Sequence, residues 1–254
     1  MQTSNRNLLA IDVGNSRISC GLFKQGALVE TWHHPTNDPR GAARTISVNG
    51  EGCTLAISSV VPEASDVLRD QLSTNGCKPY EVSATKSKMI ASIYDTMGSD
   101  RLANAVAAWK LYGQENSVLV IDFGTATTLT AVTKEGAFAG GFITLGLGQT
   151  LSALHTAAAQ LPKARLSSKV SNELAFDTES AILSGTFLAQ IGLVEYWIRL
   201  ARKNLKGDVT TVATGGWAET VARHSAYLEF TDPYLTLRGI YLMAEAEAVP
   251  KDQC

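Results

Sequence analysis

Two short apolar runs in the chain end in the same polar turn. Residues 8–11 (LLAI) lead into Asp12-Val13-Gly14, and residues 118–121 (VLVI) lead into Asp122-Phe123-Gly124. Four consecutive apolar positions closed by a turn read as a buried strand. In each case a second β-like run follows, then Lys-x-Gly-Ala, then a third apolar run. The pattern predicts, twice, a meander of three strands whose first turn is polar. The copies align without a gap, LAIDVGNSRISCGLFKQGA (9–27) over LVIDFGTATTLTAVTKEGA (119–137), at a constant offset of 110. Seven identities result: Leu9 with Leu119, Ile11 with Ile121, Asp12 with Asp122, Gly14 with Gly124, Lys24 with Lys134, Gly26 with Gly136 and Ala27 with Ala137. Two copies are too few for a solenoid and imply a duplicated domain.

Between and after the copies the period changes. TLAISSVV (54–61) is β-rich and closed by Pro62, and residues 63–73 show helical spacing through Val67, Leu68 and Leu72. Residues 102–112 are Ala-rich and helical, with Leu102, Val106 and Trp109 on one face. Helices are expected over 150–161, stopped by Pro162, over 178–204, and over 234–248, with a strand at 209–214 running into Gly215-Gly216. Gly185, Ala189 and Gly192 fall at helical spacing and permit close approach of another helix. Strands and helices alternate in both halves, which argues an α/β protein with halves 1–113 and 114–254.

Composition narrows the function. Lys and Arg number 22 against 24 Asp and Glu, a net charge of −2, so a basic nucleic-acid footprint is not expected. Apolar residues make up 45% of 254, enough for a core without staples and against disorder. Cys20, Cys53, Cys77 and Cys254 form no CxxC pair and have no zinc-ligand spacing, as expected of a reduced cytoplasmic protein. The first residues carry no basic segment followed by an apolar one. The longest uncharged apolar stretch, 180–194, falls short of the roughly 20 residues of a bilayer span, so no membrane is expected.

The two Asp-x-Gly turns are the first chemical candidates. Glycine lets a ligand approach the backbone, and free turn N–H groups make an anion nest. Asn15, Ser16, Thr125, Thr127 and Thr128 add donors, and an Asp at a strand end can hold a cation that offsets phosphate charge. A single Asp-x-Gly is most simply a turn with a local side-chain bond, but two at matching places in two halves favour a phosphate clamp. Gly98-Ser99-Asp100-Arg101 precedes the Ala-rich helix. Local sequence favours Asp100 as its N-cap and Arg101 as a solvated first-turn residue. The functional alternative is a carboxylate that accepts a hydroxyl proton beside an anion-binding Arg. Thr214-Gly215-Gly216 is either a plain glycine turn or one that would let an adenine ring lie on backbone. His33, His34, His155 and His224 have no partner at catalytic spacing, and P-loop, dinucleotide, zinc-protease, serine-hydrolase and protein-kinase motifs are absent.

Two Asp-x-Gly turns and a strand-Gly-Gly turn resemble the phosphate and adenosine elements of the acetate kinase, sugar kinase, heat-shock protein and actin superfamily. More narrowly, the chain resembles the type III pantothenate kinases. The matching segments are IDVGNS (11–16), ISSVVP (57–62), GSDRLANAVAAW (98–109), IDFGTATTL (121–129), GGFITLG (140–146), DTESAILSG (177–185), ATGG (213–216) and LTLRGI (235–240). The resemblance implies two ribonuclease H-like, actin-like ATPase half-domains with a nucleotide cleft between them. It implies an ATP-binding turn at Asp12, Val13, Gly14, Asn15, Ser16, Arg17, Ile18 and Ser19, with a second nucleotide contact at Thr125. Pantothenate would bind at Tyr94, Gly98, Ser99, Asp100, Arg101 and Thr178, with Asp100 as proton acceptor. Mg²⁺ would lie near Asp12 through water, and K⁺ or NH₄⁺ at Asp122. The segment before Asp100 lacks the family's Pro, and Leu145 stands where the family has Pro.

The resulting expectation is ATP-dependent phosphorylation of pantothenate, the first step of coenzyme A biosynthesis, by a cytoplasmic homodimer without nucleic-acid or membrane partners. The rivals are another small-molecule kinase of the same fold, since a fold does not fix its acceptor, and a non-catalytic accessory regulator of gene expression.

Overall fold

The computed structural model describes residues 7–73, 78–158, 160–166 and 173–247, so Cys77 and Cys254 lie outside it. The chain forms two compact units, residues 1–111 with 234–254, and residues 112–233. The first contains β1 (Leu8–Val13), β2 (Arg17–Lys24), β3 (Ala27–Pro35), α1 (Pro39–Asn49), β4 (Thr54–Ser59), α2 (Pro62–Ser73), β5 (Tyr80–Glu81) and α3 (Ser99–Ala108). A π-helical turn, Trp109–Gly113, follows. The second unit contains β6 (Ser117–Phe123), β7 (Ala126–Val132), β8 (Phe138–Leu145), α4 (Leu147–Ala157), α5 (Thr178–Asn204), β9 (Val209–Thr214), α6 (Ala218–Ala222) and β10 (Phe230–Thr231). The last helix, α7 (Leu235–Ala246), returns to the first unit.

The duplication read from the sequence is a duplication of topology. One sheet runs β3-β2-β1-β4-β5 and the other β8-β7-β6-β9-β10. The central strand of each, β1 or β6, is antiparallel to the next strand in the chain and parallel to β4 or β9. The gapless alignment conceals two compensating changes. The first turn spans residues 14–17 between Val13 and Ile18, but only 124–126 between Phe123 and Thr127. The lost residue is regained in the second turn, because Phe23 faces Leu28 while Val132 faces Phe138. Lys24 therefore lies in β2, whereas Lys134 lies in the turn beyond β7. Their identity marks no equivalent position.

Each sheet buries one face against its own helices. Leu9, Ile11 and Val13 of β1 pack with Ala42, Ala43 and Ile46 of α1 and with Leu68 and Leu72 of α2. In the second unit Leu119, Ile121 and Phe123 of β6 pack with Phe187, Ile191, Val194 and Ile198 of α5. Helix α1 has few apolar positions and no sequence period announced it; its ends are set chemically. Asp38 accepts a bond from the Gly41 amide at 2.9 Å, Pro39 opens the helix and Gly50 closes it. Helix α4 starts at Leu147, before the expected 150. Helix α5 has the length and apolar composition of a membrane-crossing helix, yet its buried side forms the core of the second unit.

The repeat boundary and the spatial boundary differ at the carboxyl end. The sequence grouped 114–254 together, whereas α7 packs on α3 and β1. Gly239 is the reason that contact is so close: a Cβ there would run into the Ala103 carbonyl and Cα. Thr236 adds a bond from Oγ1 to Asn104 Oδ1 at 2.8 Å. Gly239→Ala should therefore destabilise the chain by about 1–3 kcal/mol, although Ala is the better helix former by about 1 kcal/mol at an open site. Urea unfolding measures this, and an unchanged or raised midpoint would remove Gly239 as the packing constraint.

Candidate active site

Asp12 is the last polar side chain of β1, in register with Ser19 of β2 and Ser58 of β4. Register partners share a face of a sheet, so these three line the face opposite the α1–α2 core. Val13 and Ile18 point the other way and are buried in that core. They offer a ligand backbone only. Asn15, Ser16 and Arg17 are exposed at the tip of the turn, which the Gly14 amide closes by donating to the Arg17 carbonyl at 3.0 Å. Sequence reading missed Thr36, whose hydroxyl donates to the Gly14 carbonyl at 2.7 Å from 22 positions away.

The 98–101 stretch is brought beside this turn by serines. Ser99 Oγ accepts from Ser58 Oγ at 3.0 Å and from the Ser59 amide at 2.9 Å, and donates to the Ser59 carbonyl at 2.9 Å. Ser58 is the residue in register with Asp12, so the start of α3 is pinned to the strand next to Asp12. Ser65 bonds the Ser59 hydroxyl and the Val61 carbonyl, tying α2 to the same strand end. The hydroxyl of Ser99 is thereby committed to β4.

Asp100 is not the N-cap. Gly98 holds that place, without a side-chain cap bond, and Asp100 lies in the first turn of α3. A Cβ at position 98 would come within 2.5 Å of Asp100 Oδ1, so a side chain there would turn the carboxylate away from its present place. Asp100 Oδ1 accepts from the Arg101 amide at 2.7 Å. Burial pushes the Asp100 carboxyl above its ordinary range, against the lowering effects of the Arg101 amide bond and the Arg101 charge. Arg101 is buried rather than solvated, and its Nη1 donates to the Tyr94 hydroxyl at 2.7 Å. Tyr94 is 41% exposed, so this pair joins the buried helix start to the surface.

In the second unit Asp122 stands in register between Thr128 and Thr214, repeating the carboxylate-between-hydroxyls arrangement of Asp12. Two glycine turns close on it. Gly215 has φ +91°, and a Cβ there would meet the Asp122 carboxylate and the Phe123 backbone. Gly146 donates its amide to the Thr125 carbonyl at 3.0 Å, and a Cβ there would strike the Gly124 and Thr125 carbonyls. Thr125 is half-buried in this turn, while Thr127 points into the core. Thr178 is the exposed first residue of α5, after Asp177, which caps the helix by accepting from the Ser180 amide at 2.9 Å.

The remaining candidates are structural. His155 Nδ1 lies 2.9 Å from the Leu161 carbonyl, and the His224 ring packs edge-on against Phe187. Cys20 and Cys53 are buried thiols, and burial pushes Cys20 up to about 12. Among the described residues no group of three or more His, Cys, Asp or Glu gathers as a metal cage.

Comparison with known proteins identifies the family of the chain. The family model described as type III pantothenate kinase matches residues 8–200. A type III pantothenate kinase from Bacillus cytotoxicus is 32% identical, over 95% of this chain and 97% of that one. Among solved structures, a conserved putative Baf family transcriptional activator from Campylobacter jejuni superposes with a TM-score of 0.63 at 18% identity, covering 94% of this chain and 98% of its own. An archaeal actin homologue gives 0.56 at 11% identity, with 94% and 99% covered, as two duplicated actin-like half-domains require. The chain belongs to the type III pantothenate kinase family, phosphotransferases that use ATP to phosphorylate pantothenate in coenzyme A biosynthesis.

Proposed function

We propose that the conversion of pantothenate to 4'-phosphopantothenate is carried by the Asp12 turn and the start of α3 working as one site. The observation that supports this most is the Ser58–Ser99 bond, which ties the Asp100 helix to the strand in register with Asp12. Residues 12–19 bind the phosphates of ATP through the N–H groups of the turn, and Thr125 supplies a second nucleotide contact. Arg101, held by Tyr94, binds the pantothenate carboxylate beside Gly98 and the backbone of Ser99, whose hydroxyl β4 holds, and Thr178 is a further substrate contact in this reading. Asp100 takes the proton of the primary hydroxyl as its oxygen attacks the γ-phosphorus, while the bond from that phosphorus to the β,γ-bridging oxygen breaks and ADP leaves. Phosphoryl transfer asks the protein for position and charge rather than covalent work, which suits rigid turns.

The cations fit the donor sets. A single carboxylate, Asp12, flanked by Ser19 and Ser58 suits a Mg²⁺ ion that keeps water and phosphate ligands. Asp122, in register with the hydroxyl residues Thr128 and Thr214, suits K⁺ or NH₄⁺. Such ions supply charge that offsets the phosphates. Buried thiols at Cys20 and Cys53 suit a reducing cytoplasm. A homodimer through α5 is supported by an exposed stripe of Gly185, Ala189 and Gly192 flanked by Leu188 and Tyr196, 39% and 56% exposed. A Cβ at Gly185 or Gly192 would meet nothing within 4 Å, so none of the described residues fills that stripe at those two positions. Turnover of ATP with pantothenate in the absence of DNA separates this reading from an accessory regulator.

Three outcomes test it. Asp100→Asn should lower turnover by about 10²–10⁴-fold with melting and ATP binding near wild type. Because the ionised carboxylate is the active form and its pKa is raised, kcat/KM for pantothenate should fall on the acid side at a higher pH than an ordinary carboxylate gives. Turnover retained within about threefold would reduce Asp100 to a first-turn charge. Replacing K⁺ with Na⁺ should slow the wild type strongly and Asp122→Asn hardly at all; equal rates in both salts for the wild type would sink the Asp122 assignment. Light scattering at micromolar concentration should show a dimer that Leu188→Arg dissociates, and a fully active wild-type monomer would end the dimer reading.

A further inference from the structure

The two repeats hold their first turns in the same way, at the same relative position. The residue just past the third strand is Thr36 after β3 and Gly146 after β8, related by the repeat offset of 110. Each donates its backbone N–H to a carbonyl of the first turn: Thr36 to Ser16 at 3.4 Å, Gly146 to Thr125 at 3.0 Å. Each also closes on the glycine carbonyl of its turn. Gly146 does so by bare backbone, since a Cβ would strike the Gly124 carbonyl. Thr36 does so with its side chain, Oγ1 donating to the Gly14 carbonyl at 2.7 Å.

We infer that Thr36 is a positioning residue for ATP, latching the Asp12 turn so that its N–H groups rather than its carbonyls meet the phosphates. The physical reason is the polarity of a turn. A carbonyl turned toward a phosphate repels it, whereas adjacent N–H groups form the anion nest. Thr36 engages the Gly14 and Ser16 carbonyls from outside the turn and thereby fixes which way the intervening peptides point. The Gly14 amide bonds Arg17 across the turn, and the Thr36 bonds hold its Gly14 and Ser16 carbonyls from outside. In the second repeat rigid packing does this work. In the first it rests on one hydroxyl, which substitution can remove without moving the backbone bond.

This inference relies on the Asp12 turn being the phosphate site, and the experiment separates the two. Thr36→Val and Thr36→Ala are compared with Thr36→Ser and Asp12→Asn by steady-state kinetics in ATP and in pantothenate, with melting recorded for each. The expected result is a KM for ATP raised about three- to tenfold in Val and Ala, the range of one net hydrogen bond, with the KM for pantothenate unchanged. Thr36→Ser restores most of the loss. If Asp12→Asn raises the KM for ATP while both Val and Ala leave it within about 1.5-fold, the latch is wrong and the phosphate site stands. If Asp12→Asn leaves ATP use unchanged, the phosphate site itself falls, and the latch with it. A parallel rise in both KM values together with lowered melting would make Thr36 a structural residue only.

Discussion

A central strand paired antiparallel on one side and parallel on the other has an open carboxyl end. On the antiparallel side the chain turns straight back; on the parallel side the neighbouring strand leaves the sheet toward a helix. Asp12 and Asp122 occupy that end in the two units. A carboxylate there is half-buried and must find polar company, because an isolated buried charge is costly. Both repeats place hydroxyl-bearing residues in register on the strands to either side: Ser19 and Ser58 in one, Thr128 and Thr214 in the other. The glycines and serines nearby reflect the same crowding.

From this shared plan the units diverge at the residue next after the parallel strand's hydroxyl. After Ser58 the first unit places Ser59, whose amide and carbonyl both bond Ser99, so the strand end becomes a dock for the start of α3. After Thr214 the second unit places Gly215 in a left-handed conformation, with the Asp122 carboxylate where a side chain would otherwise stand. One unit thus uses its strand end to dock a helix start through hydroxyls, and the other closes its strand end with a tight turn that has no side chain. The duplication supplied identical topology; single residues at the strand ends assigned different work to each.

Features carried by local pattern were legible in the sequence. The apolar runs before Asp12 and Asp122 gave the central strands, and the Asp-x-Gly pair gave the turns and the repeat. The features that escaped depend on partners distant in the chain. Thr36 has no motif, and its role exists only because β3 returns it to Gly14. Ser99 looked like a substrate residue, and its hydroxyl proves to be taken by β4. Arg101 read as a solvated first-turn residue, but the helix start is covered and Tyr94 receives its guanidinium. The gapless alignment hid a shift of one residue, because a loss in the first turn and a gain in the second cancel in sequence but not in register. Helix α7 reads as the end of the second repeat, and only its contacts distant in the chain, Gly239 against Ala103 and Thr236 to Asn104, show where it packs.

The displacement of the N-cap from Asp100 to Gly98 alters the meaning of the carboxylate. A capping Asp is an acceptor already satisfied by helix amides, held ionised by the helix start, and correspondingly weak as a base. Asp100 retains part of that stabilisation through the Arg101 amide and the Arg101 charge, yet burial outweighs both and its pKa rises. The balance suits a proton acceptor. Were the lowering effects to dominate, the carboxylate would be too stable to take a proton from an alcohol. Burial works the other way, favouring the neutral form. Gly98 permits the compromise, since a side chain there would displace Oδ1 from the position at which burial and the first-turn amide act on it together.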